Sequence, residues 1–100
     1  MPSSDRQSDS INAAKVKKTP VDRVQTGVRM EKRMVKILKA LAEYHDLSLG
    51  DLLEGMVLHA FEGACPFGET TLSRIRDLKR VYDFDLDVSH SHQLIEKNKG

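Results

Sequence analysis

The first pattern along the chain is an alternation of polar and apolar residues in "RVQTGVRM", residues 23–30. The odd-numbered positions are polar or small, and the even-numbered positions, apart from Thr26, are apolar. This period of two is typical of a β-strand with one exposed and one buried face, so we predict a strand here. The rest of the chain predicts no convincing strand. A single strand would leave its backbone N–H and C=O groups without partners.

Two amphipathic helices are predicted after this strand. Apolar residues spaced at i, i+3, i+4 and i+7 form the stripe of the first helix: Met34, Ile37, Leu38 and Leu41. The stripe of the second helix is longer: Leu49, Leu52, Leu53, Met56, Val57, Ala60 and Phe61. Ser48 is expected to cap the second helix, with Asp51 at the spacing of a capping box. Asp46 is expected to take the left-handed turn conformation between the helices.

The two ends of the chain are less patterned. Leu72, Ile75 and Leu78 predict a third helix from about Thr70 to Tyr82. The stretch after it, 83–100, is ambiguous between a short helix and a frayed end. At the other end, residues 1–21 contain few large apolar side chains, and we expect them to form a flexible arm.

The strand and the first two helices are too small to close a hydrophobic core alone. A second copy would solve this, because two such strands can pair antiparallel and the stripes of four helices can then share one core. We therefore predict an isologous homodimer. The residues predicted to form its core are Val24, Val28, Met30, Met34, Leu38, Leu41, Leu52, Leu53, Met56, Val57 and Phe61.

Charge changes the picture through its distribution. The 100 residues are 39% hydrophobic and 31% charged, and their net charge is only +1. Residues 23–45 nevertheless hold six Lys or Arg against two Glu, whereas residues 46–63 hold four acidic residues and no Lys or Arg. The basic block coincides with the predicted strand and first helix, which favours a polyanionic partner.

The stretch from Arg23 to Phe61 resembles the ribbon-helix-helix DNA-binding proteins of the Arc and MetJ type. The resemblance rests on "QTGVRMEKRM", on "LAEYHDLSLGDLL" and on the spacing between them. It implies a mainly α fold with one β-strand: an intertwined homodimer with a two-stranded antiparallel ribbon, plus a C-terminal helical extension. The domains would be the arm at 1–21, a dimerisation and DNA-binding domain at 22–63, and the extension at 64–100 with its helix at about 70–82.

The resemblance also implies roles for individual residues. A two-stranded ribbon fits the major groove of DNA, where Arg and Gln pair with guanine and adenine edges. The residues predicted to contact bases are Arg23, Gln25, Gly27 and Arg29. Lys32 and Arg33, beside the ribbon, are predicted to contact phosphates. Ser48 and the N–H groups of Leu49 and Gly50 match the phosphate anchor of the family, and helix N-termini bind anions.

The expected function is therefore sequence-specific binding of double-stranded DNA by a bacterial transcriptional regulator. It would act in the cytoplasm as a homodimer, with higher assembly of dimers on adjacent half-sites. Two alternatives remain open. An antitoxin of the same fold would bind a toxin through residues 64–100. A dimeric interaction module that has lost DNA binding is favoured by the low net charge and by Gly27, which has no side chain.

Other chemistry is weakly represented. The chain has no Gly-rich phosphate loop and no convincing nucleophile–base arrangement, so we expect no catalytic residues and no enzyme activity. His90 and His92 lack the third and fourth ligands of a zinc site, and "DFDLD" lacks the Gly and Glu of a calcium loop. The single Cys65 excludes an internal disulfide, and the apolar runs are too short for a membrane span. We expect no metal, no cofactor and no membrane partner.

Overall fold

Three α-helices form the part of the chain that the computed structural model describes, residues 18–97. They are α1 (Lys32–Tyr44), α2 (Leu49–Phe61) and α3 (Glu69–Val81), and a short 3₁₀ helix, Val88–His90, follows them. The three helices predicted from the apolar stripes are confirmed. The predicted N-terminal arm falls mostly on residues 1–17, which lie outside the described residues.

The predicted β-strand is wrong, and with it the two-stranded ribbon and the ribbon-helix-helix architecture. Residues 18–30 are extended, but no strand or sheet is present anywhere in 18–97. No backbone group of residues 18–30 forms a hydrogen bond with any other backbone group of residues 18–97. The alternation of side chains therefore marks an extended conformation only. A strand also requires hydrogen bonds to a neighbour, which a local pattern cannot specify.

The helices begin at caps of different chemistry. The Glu31 carboxylate accepts a hydrogen bond from the Met34 N–H at 2.8 Å and caps α1. The predicted cap of α2 is confirmed, because the Ser48 hydroxyl accepts from the Asp51 N–H at 3.1 Å. α3 begins after Gly68 without a side-chain cap.

All three helices end in the same local turn. After α1, Asp46 takes the left-handed conformation that was predicted, with φ of 57°. Its N–H donates to the Glu43 C=O, and the Leu47 N–H donates to the Ala42 C=O, which is the Schellman arrangement of a helix end. Gly63 and Asp83 occupy the same position after α2 and α3, with φ of 70° and 51°. Glycine adopts this conformation without strain, whereas aspartate does so at a modest cost.

The hydrophobic core lies around α1, which packs against both α2 and α3. The buried apolar side chains of residues 18–97 are Ile37, Leu38, Leu41, Ala42 and Leu52. α3 runs antiparallel to α1, because Arg74 stacks over the Tyr44 ring at one end of the pair and Lys36 over the Tyr82 ring at the other. α3, which belongs to the predicted C-terminal extension, therefore packs on α1, a helix of the predicted DNA-binding domain.

None of the helices in residues 18–97 combines the length and the apolar character needed to cross a membrane.

Candidate nucleic-acid interface

The residues predicted to contact bases lie in the extended segment before α1. Arg23, Gln25, Gly27 and Arg29 are all exposed. Residues on both sides of this extended segment are exposed, so neither side packs against the core. The side chains are therefore accessible to a ligand, while the two arginines have partners within the chain.

Arg23 is held by α2. Its Nε and Nη2 donate to the two carboxylate oxygens of Glu54, each at 2.8 Å, and Nη2 also lies 3.9 Å from Asp51. This is a bidentate, charge-assisted pair. The hydrogen bond from Arg23 lowers the pKa of Glu54, and the same bond raises the pKa of Arg23. Both side chains remain about half exposed, so water screens the attraction.

Arg29 is held by the C-terminal segment. Its Nε donates to Glu96 Oε1 at 3.2 Å, and its Nη2 contacts Glu96 Oε2. The Arg29 side chain is 81% exposed, which makes it the most exposed of the paired arginines in residues 18–97. The pair joins positions 67 residues apart, so it brings the end of the described chain to the segment before α1.

Arg33, a predicted phosphate contact, is the most engaged of these arginines. Its Nε donates to Glu31 at 2.9 Å, and its Nη1 donates to the Asp83 C=O at 2.7 Å and lies 3.3 Å from Asp85. Its guanidinium also lies 5.5 Å from the centre of the Phe84 ring. The hydrogen bond to Glu31 raises the pKa of Arg33.

Glu31 serves both α1 and Arg33. Its partial burial favours the protonated form, but the hydrogen bonds from Arg33 and from the Met34 N–H outweigh that effect and lower its pKa. The lowered pKa means that folding favours the charged carboxylate at this helix start.

The lysines of α1 differ from the arginines. Lys32, Lys36 and Lys39 lie on one exposed arc of the helix, and none of them forms an ion pair within residues 18–97. Lys36 Nζ lies 5.9 Å from the centre of the Tyr82 ring, an arrangement that leaves its charge uncompensated. The unpaired basic charge of α1 therefore lies on its outer face, where the exposed Glu43 follows the lysines one turn further along.

The predicted phosphate anchor lies at the start of α2. Ser48 uses its hydroxyl to cap the Asp51 N–H, and the N–H groups of Leu49 and Gly50 belong to the first turn, where a helix has no internal partners for them. The carboxylate of Asp51 stands in the same turn. That negative charge opposes an anion at this end of the helix, although it suits the helix dipole.

The residues predicted to form a dimer core divide into two groups. Leu38, Leu41 and Leu52 are buried within the chain, and Met34, Leu53 and Met56 are partly buried against them. The others remain exposed: Val24, Val28, Met30, Val57 and Phe61. Leu58, which the stripe did not include, is exposed as well.

Sequence reasoning missed the acidic partners of the arginines. Glu54, Glu96 and Asp85 lie 31, 67 and 52 positions from the arginines they meet, as their residue numbers show. The only local signal was the pair of acids one turn apart on α2, Asp51 and Glu54, in a stretch without Lys or Arg. Such an acidic edge favours a basic neighbour, but does not identify which one.

Of the two histidines considered as metal ligands, His90 has a structural role in the 3₁₀ helix. His90 Nδ1 accepts a hydrogen bond from the Asp87 N–H at 3.0 Å, and Asp87 accepts in turn from the Ser89 N–H, so both residues hold the 3₁₀ helix. Over residues 18–97 no three His, Cys, Asp or Glu side chains come together in a way that could hold a metal ion.

Comparisons of the chain with protein-family models, with curated proteins and with solved structures found no match.

Proposed function

We propose that this protein is a homodimeric DNA-binding protein that regulates transcription in the cytoplasm. The observation that carries the proposal is the exposed arc of unpaired lysines on α1, which continues from the exposed segment containing Arg23 and Arg29. Cations grouped along one helix face match the regular phosphates of a duplex better than they match an isolated anion. Arg29 and Gln25 stand beside this arc and supply donors suited to base edges.

The lysines would supply affinity. Lys32, Lys36 and Lys39 project from one side of a helix with 1.5 Å rise per residue, so about 10 Å of helix axis separates the first from the last. Phosphate contacts of this kind are independent of sequence and weaken steeply with salt. Arg23, Gln25 and Arg29, the residues with long side chains that the proposal assigns to bases, would supply preference among sequences.

Self-association would cover the apolar surface that the chain leaves exposed. Val57, Leu58 and Phe61 are exposed on the second half of α2, and Val24 and Val28 are exposed in the segment before α1. Large apolar side chains grouped in this way mark interaction surfaces more often than free surface. A second copy would also place two lysine arcs on one DNA, as expected for a dimer on a two-fold operator.

A second candidate is an interaction module without DNA binding. The ion pairs of Arg23 with Glu54 and of Arg29 with Glu96 favour it, because they occupy the guanidinium groups proposed to contact bases. The antitoxin alternative, with residues 64–100 bound to a toxin, receives less support. In the described part of that stretch, α3 already packs on α1 and Phe84 lies against Arg33.

The test compares two variants, each of which has lost two positive charges. Lys36→Gln/Lys39→Gln removes two unpaired cations from α1, and Arg76→Gln/Lys79→Gln removes two from α3 as a control of equal net charge. DNA bound by the wild type would first be selected from a random pool. The α1 variant should then bind it about tenfold more weakly and reduce the slope of log affinity against log salt by about two. Equal effects of the two variants, or a wild type that binds no DNA, would contradict the proposal and favour the interaction module.

A further inference from the structure

The C-terminal segment after α3 lies against the arginines at the start of the proposed DNA-binding surface. Two separate contacts fix it there: Asp85 lies 3.3 Å from Arg33, and Glu96 is paired with Arg29. The Phe84 ring under the Arg33 guanidinium and the bond from Arg33 to the Asp83 C=O add a third point of attachment. One acidic segment therefore meets two neighbouring cations.

We propose that the segment 83–97 is an internal competitor of DNA, in which carboxylates occupy the guanidinium groups that DNA would take. This inference rests on the proposed function. It adds a regulatory contact to it: DNA and the C-terminal segment bind the same arginines in turn.

The two contacts compete for the same charge and the same edge of the Arg29 guanidinium. Arg29 uses Nε and Nη2 for the two oxygens of Glu96. A bidentate contact to a phosphate or to a guanine edge uses two adjacent donors of the same fork. The Glu96 carboxylate must leave before the Nε–Nη2 edge can take such an acceptor, whereas the Nη1–Nη2 edge keeps its donors. The carboxylate thus imitates the charge and the bidentate geometry of the DNA group it displaces.

The competition is reversible because the Arg29–Glu96 pair is exposed on both sides and Asp85 is exposed beside Arg33. The Arg29 and Glu96 side chains are 81% and 61% exposed, so water and salt weaken their attraction. A contact of this strength reduces DNA affinity without abolishing it. DNA, which presents many phosphates at once, can displace the segment, whereas an isolated anion competes poorly.

The experiment neutralises the two carboxylates in the full chain. Glu96→Gln/Asp85→Asn should bind the selected DNA about fivefold more tightly than the wild type, since one exposed and one partly exposed pair are lost from the unbound state. Glu62→Gln/Glu69→Gln is the matched control. It changes the net charge by the same amount, and neither residue forms an ion pair within residues 18–97.

A second measurement reports the contact without DNA. The NMR signal of the Arg29 Nε–H should move in Glu96→Gln and stay in place in Glu62→Gln. Tighter binding by the carboxylate variant than by the control, with the moved signal, supports the competitor. Equal binding by the two variants, with the wild type still binding DNA, overturns the inference alone. Failure of every variant to bind DNA overturns the proposed function, and the competitor falls with it even where the Arg29 signal moves.

Discussion

The helices α1 and α2 have the same length, but α1 buries more of its residues than α2. Each has 13 residues, and α1 carries five charged side chains against two in α2. α1 nevertheless buries four residues, whereas α2, the more apolar helix, buries only Leu52. The apolar stripe of α1 is narrow and lies between two helices. The apolar surface of α2 extends around the helix, and a single neighbour can cover only one side of it.

This difference separates the hydrophobic core that one chain forms by itself from the apolar surface that is available to a partner. A helix that is apolar on most sides is normally buried on most sides. In the described part of the chain, the second half of α2 is instead exposed, with Phe61 at 82% and Leu58 at 64%. The core around α1 should therefore govern the stability of one chain, and the outer side of α2 should govern association between chains.

The largest effect is expected at the centre of α1. Leu41 is 1% exposed, and Leu41→Ala should lower the free energy of unfolding by about 3 kcal/mol, because it removes apolar contacts and leaves a cavity. Val81→Ala, at an exposed position of α3, should cost less than about 0.5 kcal/mol. Urea denaturation followed by circular dichroism measures both. Comparable losses in the two variants would contradict the assignment of the core to α1.

The next effect should appear in association. Phe61→Ser should raise the dissociation constant of the dimer roughly 30-fold, which corresponds to about 2 kcal/mol, because an exposed aromatic anchor is lost from the interface. Val88→Ser, equally exposed in the 3₁₀ helix, should leave the constant unchanged. Sedimentation equilibrium provides the measurement. A wild type that stays monomeric at high micromolar concentration would show that the α2 surface has another use.

A smaller loss of stability is expected when the cap at the start of α2 is removed. Ser48→Ala removes the hydroxyl that accepts the Asp51 N–H and should cost about 1 kcal/mol of stability. Ser73→Ala, at an exposed position inside α3, removes a hydroxyl with no capping role and should be neutral or slightly stabilising. Thermal unfolding of the two variants separates these effects. Loss of stability in Ser73→Ala equal to that in Ser48→Ala would argue against the cap.

The smallest predicted effect is a loss of stability at the start of α1 that depends on pH, unlike the loss at the start of α2. The pKa of Glu31 is lower in the folded protein than its ordinary value of 4.5, so its contribution is complete above that value and is lost as pH falls through the folded pKa. Glu31→Gln should cost about 1 kcal/mol or less at pH 7. The deficit should shrink in acid, whereas that of Ser48→Ala should not change with pH. A deficit of Glu31→Gln that stays constant down to pH 3 would contradict a charged cap.

The helices could be predicted because their causes are local. The stripes of Met34 to Leu41 and of Leu49 to Phe61, the cap at Ser48 and the left-handed turn at Asp46 each depend on residues within a few positions. Those predictions are confirmed. Because these causes do not depend on distant parts of the chain, they can be recognised in the sequence alone.

The segment before α1 could not be predicted in the same way. The alternation in residues 23–30 is real, but a strand depends on a neighbour that supplies hydrogen bonds, and none is present in residues 18–97. The partners of Arg23 and Arg29 are equally remote, at Glu54 and Glu96. No periodicity encodes a contact over such separations. The roles of these residues in DNA binding stay predictions.

The unpaired backbone of residues 18–30 has a consequence for turnover. A protease needs an accessible, extended stretch of chain, and this segment is exposed and lacks backbone hydrogen bonds to the rest of residues 18–97. It also contains Arg23 and Arg29, at which trypsin-like enzymes cut. Cleavage there would spare α1, α2 and α3, whose backbone groups are protected. Degradation would therefore remove the proposed base contacts while the helical part persists, so the half-life of the activity would be shorter than that of the fold.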